Sequence, residues 1–197
     1  VLAETSITDF TIPSLTYGTS ATMSATSSVA GTITFLKNGS AISAGCTAVS
    51  TNGSNVASCT FAPTNTTSTP YTLNFTPSTS GYASLAGVSS TSVTAAKASL
   101  AVIPGDTSVS FGGTPNYPIS YSGFVNSETT TSTSFTTGLT APTCSATSYT
   151  TSTSVTASPL SITCSGGSSS NYSFTYASTA NLTITRAVPS LSISLNA

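Results

Sequence analysis

Apolar side chains recur at every second position in this chain, and no window of 11 residues carries a stripe at helical spacing. The stretch "GTITFLKNGSAIS" sets Ile33 and Phe35 on one face and then meets Asn38-Gly39, a pair suited to a tight hairpin turn. "PYTLNFTPS" carries Tyr71, Leu73 and Phe75 in the same rhythm; "NYSFTY" carries Tyr172, Phe174 and Tyr176; "NLTITR" carries Leu182 and Ile184. Each run is short and ends in Gly, Pro or Asn, as half-buried strands do. The alternation predicts an all-β fold of antiparallel sandwiches, because a strand with one apolar face must bury it against a second sheet.

Composition narrows the function classes. The chain of 197 residues has three basic and four acidic side chains, 4% charged in all, against about 25% in an ordinary domain. Its polarity comes from 41 serines and 41 threonines. A net charge of −1 offers no basic surface for nucleic acid or anionic lipid. The apolar runs are too short for a membrane-spanning helix, so no membrane insertion is expected. No basic-then-apolar leader opens the chain, which is read as a mature product or an excised piece.

Catalytic and metal chemistry find little material. With no histidine, neither a Ser-His-Asp nor a Cys-His constellation can be assembled. Asp106 in "PGDTS" and Glu128 in "FVNSETT" are read as loop residues, Asp106 serving a turn or a local backbone hydrogen bond. CxxC spacing and acidic clusters are missing, so neither zinc nor calcium is expected and no cofactor is implied. Lys37 and Lys97 are poorly placed for an isopeptide crosslink, one beside a hairpin turn and the other at a domain joint. An enzyme is not expected.

Four cysteines, Cys46, Cys59, Cys144 and Cys164, fall into two local pairs. An even count without histidine reads as disulfides formed in an oxidising compartment. For "GCTAVSTNGSNVASCTF", a two-residue turn at Asn52-Gly53 sets Thr51 opposite Ser54. Counting outward from there pairs Val49 with Val56 and Cys46 with Cys59. The cysteines then form a non-hydrogen-bonded pair with Cα atoms about 4.5 Å apart. Cys144–Cys164 is the second expected bond.

A weak internal repeat divides the chain. "SVTAAKASLAVIPGDTSVSF" and "NLTITRAVPSLSISLNA" share an order of elements, with Arg186-Ala187 standing where Lys97-Ala98 stands. Tyr17-Gly18 and Phe111-Gly112 match in the same way. The expectation is two sandwiches in tandem, 1–96 and 97–187, each with one cysteine pair. Residues 188–197 would then begin a third unit.

The first unit, "AGTITFLKNGSAISAGCTAVSTNGSNVASCTF", resembles the bacterial Ig-like repeats of large surface proteins, including their cysteine-bearing subset. The second, running from "ISYSGFVNSETTTS" through "APTCSATS" to "SITCSGGSSSNYSFTYASTANLTITRA", is similar to the bacterial MBG repeat. It departs at Ser127 and before the last strand at Ala180, where that family often has Gly in turns. The resemblance implies Ig-like sandwiches in an extracellular or cell-surface bacterial protein or adhesin, and it brings no catalytic residues.

Three functional expectations follow. The first is a structural spacer whose partners are neighbouring Ig-like domains. The second is a self-assembling filament or surface layer of identical subunits, joined by a terminal assembly strand bearing Val188, Leu191, Ile193 and Leu195. The third is glycan or host-protein binding through loops such as Asn126–Gly138.

Overall fold

The computed structural model describes residues 1–90 and 92–189. Among them the regular structure is strand apart from single helical turns, and the chain divides into two compact units, Val1–Ala98 and Ser99–Ala197. Of the terminal strand anticipated from the sequence, Val188 is 92% exposed. Leu191, Ile193 and Leu195 lie outside the described residues.

The first unit holds β1 (Ile7–Thr11), β2 (Ala21–Ser27), β3 (Gly31–Lys37), β4 (Ser40–Ala41), β5 (Val49–Ser50), β6 (Val56–Phe61), β7 (Tyr71–Pro77) and β8 (Leu85–Ser89). One sheet runs β1-β2-β6; the other runs β4-β3-β7-β8, with β5 also on β3. The chain visits the first sheet, crosses to the second, returns for β6 and crosses again. That Greek-key order is the one found in immunoglobulin-like sandwiches. Period two does the packing. Met23 and Ala25 of β2 and Ala57 and Cys59 of β6 bury their side chains with Ile33 and Phe35 of β3 and Leu73 and Phe75 of β7. Ile33, Phe35, Leu73 and Phe75 lose all contact with solvent, and burial of each such side chain contributes about 1.5–3 kcal/mol.

The two Asn-Gly steps behave differently. Asn38 (φ 51°) and Gly39 (φ 78°) form a left-handed turn between the paired residues Lys37 and Ser40. At Asn52-Gly53 no two-residue hairpin forms. The Asn52 side chain accepts the N–H groups of Ser54 (2.9 Å) and Val56 (3.0 Å), and Asn55 takes the left-handed conformation instead. The wider loop carries the chain from one sheet to the other. Val49 therefore pairs with Ile33, and Val56 with Thr26. The expected register around Cys46 and Cys59 is wrong for that reason, although the bond between them forms.

The second unit holds β9 (Ala98–Pro104), β10 (Thr107–Ser110), β11 (Ile119–Ser122), a one-turn helix α1 (Thr133–Thr136), β12 (Thr143–Ser145), β13 (Leu160–Ser165), β14 (Tyr172–Thr175) and β15 (Ala180–Thr185). Its sheets run β10-β15-β13-β12 and β11-β9-β14. Val109, Ile162, Ala180, Leu182 and Ile184 pack under the four-stranded sheet with Ala146. Purely antiparallel sheets were expected, but β10 lies parallel to β15. Alternation is blind to strand direction, and the long stretch of chain between these strands supplies the crossover that a parallel pair needs.

The two aromatic-Gly steps matched in the sequence make similar backbone bonds. Phe111 donates its backbone N–H to Thr185 (2.8 Å), and Tyr17 donates its own to Ala96 (2.9 Å). Gly18 (φ 68°) and Gly112 (φ 84°) follow those rings in the left-handed region.

Gly31 marks the tightest point of the first core. A Cβ there would stand 2.3 Å from the Thr76 carbonyl oxygen and 2.5 Å from the Phe75 ring. Gly31→Ala should therefore destabilise the first unit by about 1–3 kcal/mol. Hydrogen exchange should show faster opening of β3 and β7, with protection in the second unit unchanged.

Candidate functional site

Both cysteine pairs are bonded, and they do different things. Cys46 lies in a helical turn (Ala44–Cys46) between β4 and β5, which both pair with β3. Cys59 lies in β6, opposite Met23 of β2. The bond thus links the two sheets of the first sandwich, with Cα atoms 5.0 Å apart. Both cysteines are buried, at 0% and 1% exposure. Cys144 and Cys164 are direct partners across β12 and β13, with Cα atoms 4.0 Å apart. The cross-strand arrangement expected for the first pair is found in the second.

The loop Asn126–Gly138 is built around two anchors. Asn126 (φ 55°) and Ser127 (φ 57°) turn the chain in the left-handed region, a conformation that Gly adopts most readily. Ala180, by contrast, is no turn residue; it is buried at the start of β15. The turn at Asn126-Ser127 brings the Glu128 carboxylate to the hydroxyls of Ser134 and Tyr172, which both donate to it. Tyr172 is 1% exposed, and its hydroxyl also accepts the Val125 N–H at 3.2 Å. The second anchor is Phe135, which α1 carries into a cluster with Tyr121, Phe124 and Tyr172 at centroid distances of 5.0–5.9 Å. Edge-to-face contacts of this kind add about 0.5–1.5 kcal/mol each beyond area burial. Asn171 completes the fastening by donating its side-chain amide to the Ser134 carbonyl at 3.1 Å.

The alternating triplet Tyr172, Phe174 and Tyr176, which begins in β14 and ends one residue past it, is graded from buried to exposed. Tyr172 is buried, Phe174 is half-buried 6.1 Å from Tyr121, and Tyr176 is 36% exposed. Burial, and then the neighbouring Tyr176 phenol, pushes the Tyr121 phenol above its ordinary value. Asp106 accepts the Asn181 N–H at 2.8 Å. This is a backbone bond, as expected, but one reaching to a distant strand rather than within its own turn. Lys37 sits half-buried at the end of β3, where desolvation lowers its pKa.

Chemically, Glu128 serves as an anchor. Its two oxygens are engaged by hydroxyls, and no imidazole exists in the chain to receive a proton from either. Among the described residues no three Cys, Asp or Glu side chains gather as metal ligands. The sequence around Glu128 marks a loop and carries no sign of the partners its carboxylate finds. What signal there is lies in Phe124 and Phe135 bracketing a polar run, two rings that a surface loop has no reason to carry.

Glu128→Ala removes the carboxylate to which the Tyr172 and Ser134 hydroxyls donate and should destabilise the second unit by about 1.5–3 kcal/mol. Limited proteolysis should then cut within Asn126–Gly138 faster than it does in the parent protein, and the first unit should stay intact.

No protein-family model matches the chain, and no curated protein matches it by sequence. Among solved structures, the titin domains z1z2, determined in complex with telethonin, align with 93% of this chain and 98% of that chain. The identity is 16% and the TM-score 0.37, too slight a likeness to speak of partners or activity.

Proposed function

We propose that this chain is a non-catalytic structural module of an extracellular protein, two β-sandwich units of a tandem array like those of bacterial surface proteins and adhesins. The observation that carries the reading is the repeated exit geometry. In each unit an aromatic-Gly step is hydrogen-bonded to the last residue before a basic one, Ala96 before Lys97 and Thr185 before Arg186. Phe111, which makes that step in the second unit, is 45% exposed. An apolar ring left open beside the outgoing chain is the surface that a following unit would cover. Its partners are therefore neighbouring domains of the same kind.

Two disulfides fit an oxidising environment, and among the described residues no helix is long and apolar enough to cross a membrane. A surface dominated by hydroxyls rather than charges keeps its hydrogen bonds when salt rises, because neutral pairs are not screened. Thr22 and Thr60, bonded across β2 and β6 at 2.8 Å, are one such pair.

A mechanical role is tested by stretching single molecules. The protein should extend in two discrete steps, one for each unit. At about 3.6 Å per extended residue, the closed loops of 13 and 20 residues hide about 47 Å and about 72 Å of chain. Those lengths should return when the protein is pulled in reductant. Smooth extension without discrete steps would count against a force-resisting module.

A further inference from the structure

We infer that Cys144–Cys164 is a thiol-exchange site, open to a small thiol in the folded protein, whereas Cys46–Cys59 is closed to it. Exchange requires a thiolate to reach one sulfur along the line of the disulfide bond, so access decides the rate. Cys46 and Cys59 are 0% and 1% exposed and lie among Met23, Phe35 and Leu73 in the first core. A thiolate reaches them only when the two sheets part, an opening close to unfolding of that unit.

The second pair is placed differently. β12 is three residues long and, among the described residues, forms the outer edge of its sheet, paired to β13 alone. Cys144, between the exposed residues Thr143 and Ser145, is half-buried against the core under the sheet, and its partner Cys164 is 8% exposed. Fraying of a short edge strand lifts Cys144 off the core cluster it packs against and presents its sulfur, while β13 and β15, which carry Ile162, Leu182 and Ile184, stay paired.

The incoming thiolate bonds to Cys144 as the disulfide breaks, and Cys164 leaves as a thiolate and takes up a proton. A second thiolate attacks the outer sulfur of the mixed disulfide and releases the oxidised small thiol. The net change converts two small thiols and one protein disulfide into one small disulfide and two protein thiols. Opening this tie frees β12 and the segment behind it, including Ala146 and Tyr149, which cover the four-stranded sheet. The inference stands on accessibility and strand position and does not depend on the mechanical reading.

The test uses the intact chain under native conditions. The protein is incubated with reduced glutathione, samples are quenched with an alkylating agent, and the four cysteines are mapped by mass spectrometry. The expected result is a glutathione adduct on Cys144, then alkylation of Cys144 and Cys164 at least about tenfold faster than of Cys46 and Cys59. Equal rates for the two pairs, earlier opening of Cys46–Cys59, a first adduct on Cys164, or no exchange short of denaturation would each overturn it.

Discussion

The first unit depends on a covalent bond between its two sheets. A sandwich of this size is held by interdigitated side chains from two inner faces, and Cys46–Cys59 bridges those faces from within the apolar cluster they form. In the chain-entropy description, closing its loop contributes about 3 kcal/mol. That is a large part of the 5–15 kcal/mol by which domains are typically stable. The bond also fixes which segment faces which. The turn carrying Cys46 must approach β6, so the short strands β4 and β5 on either side of it are held on β3. With three basic and four acidic side chains in the whole chain, ion pairs have little scope to take over that task.

Hydroxyl side chains fill much of the space that charges usually occupy. Thr34 accepts the Ala48 N–H and Thr51 the Gly31 N–H, both at 3.0 Å, where strands end and loops begin. Thr129 and Ser132 stitch the Asn126–Gly138 loop in the same manner. Such bonds cost little to form between neutral groups, whereas a buried ion must first shed its hydration. At Glu128 a carboxylate replaces part of its hydration with two hydroxyl donors.

Much of this was legible in the residues, and the failures have definite causes. Ile33, Phe35, Leu73 and Phe75 announce their burial by alternation, which needs only the pleat of a strand. Asn38-Gly39 announces its turn because both positions require positive φ. Asn52-Gly53 carries the same dipeptide and misleads, since the Asn52 side chain satisfies two backbone donors and opens the turn. Strand direction left no trace either, so the parallel pair β10–β15 could not be read. The loop around Glu128 was visible as polar sequence, but its closure depends on Tyr172, a residue 44 positions away. Contacts of that range are set by the whole fold and are invisible in any window.

The claim that one inter-sheet bond holds the first sandwich is tested most directly by replacing both of its cysteines, Cys46→Ser with Cys59→Ser, and following guanidinium unfolding of each unit by hydrogen exchange. The first unit should lose about 3 kcal/mol, with β2, β3, β6 and β7 losing protection together and the second unit unaffected. Unchanged stability of the first unit, or an equal loss in both units, would contradict it.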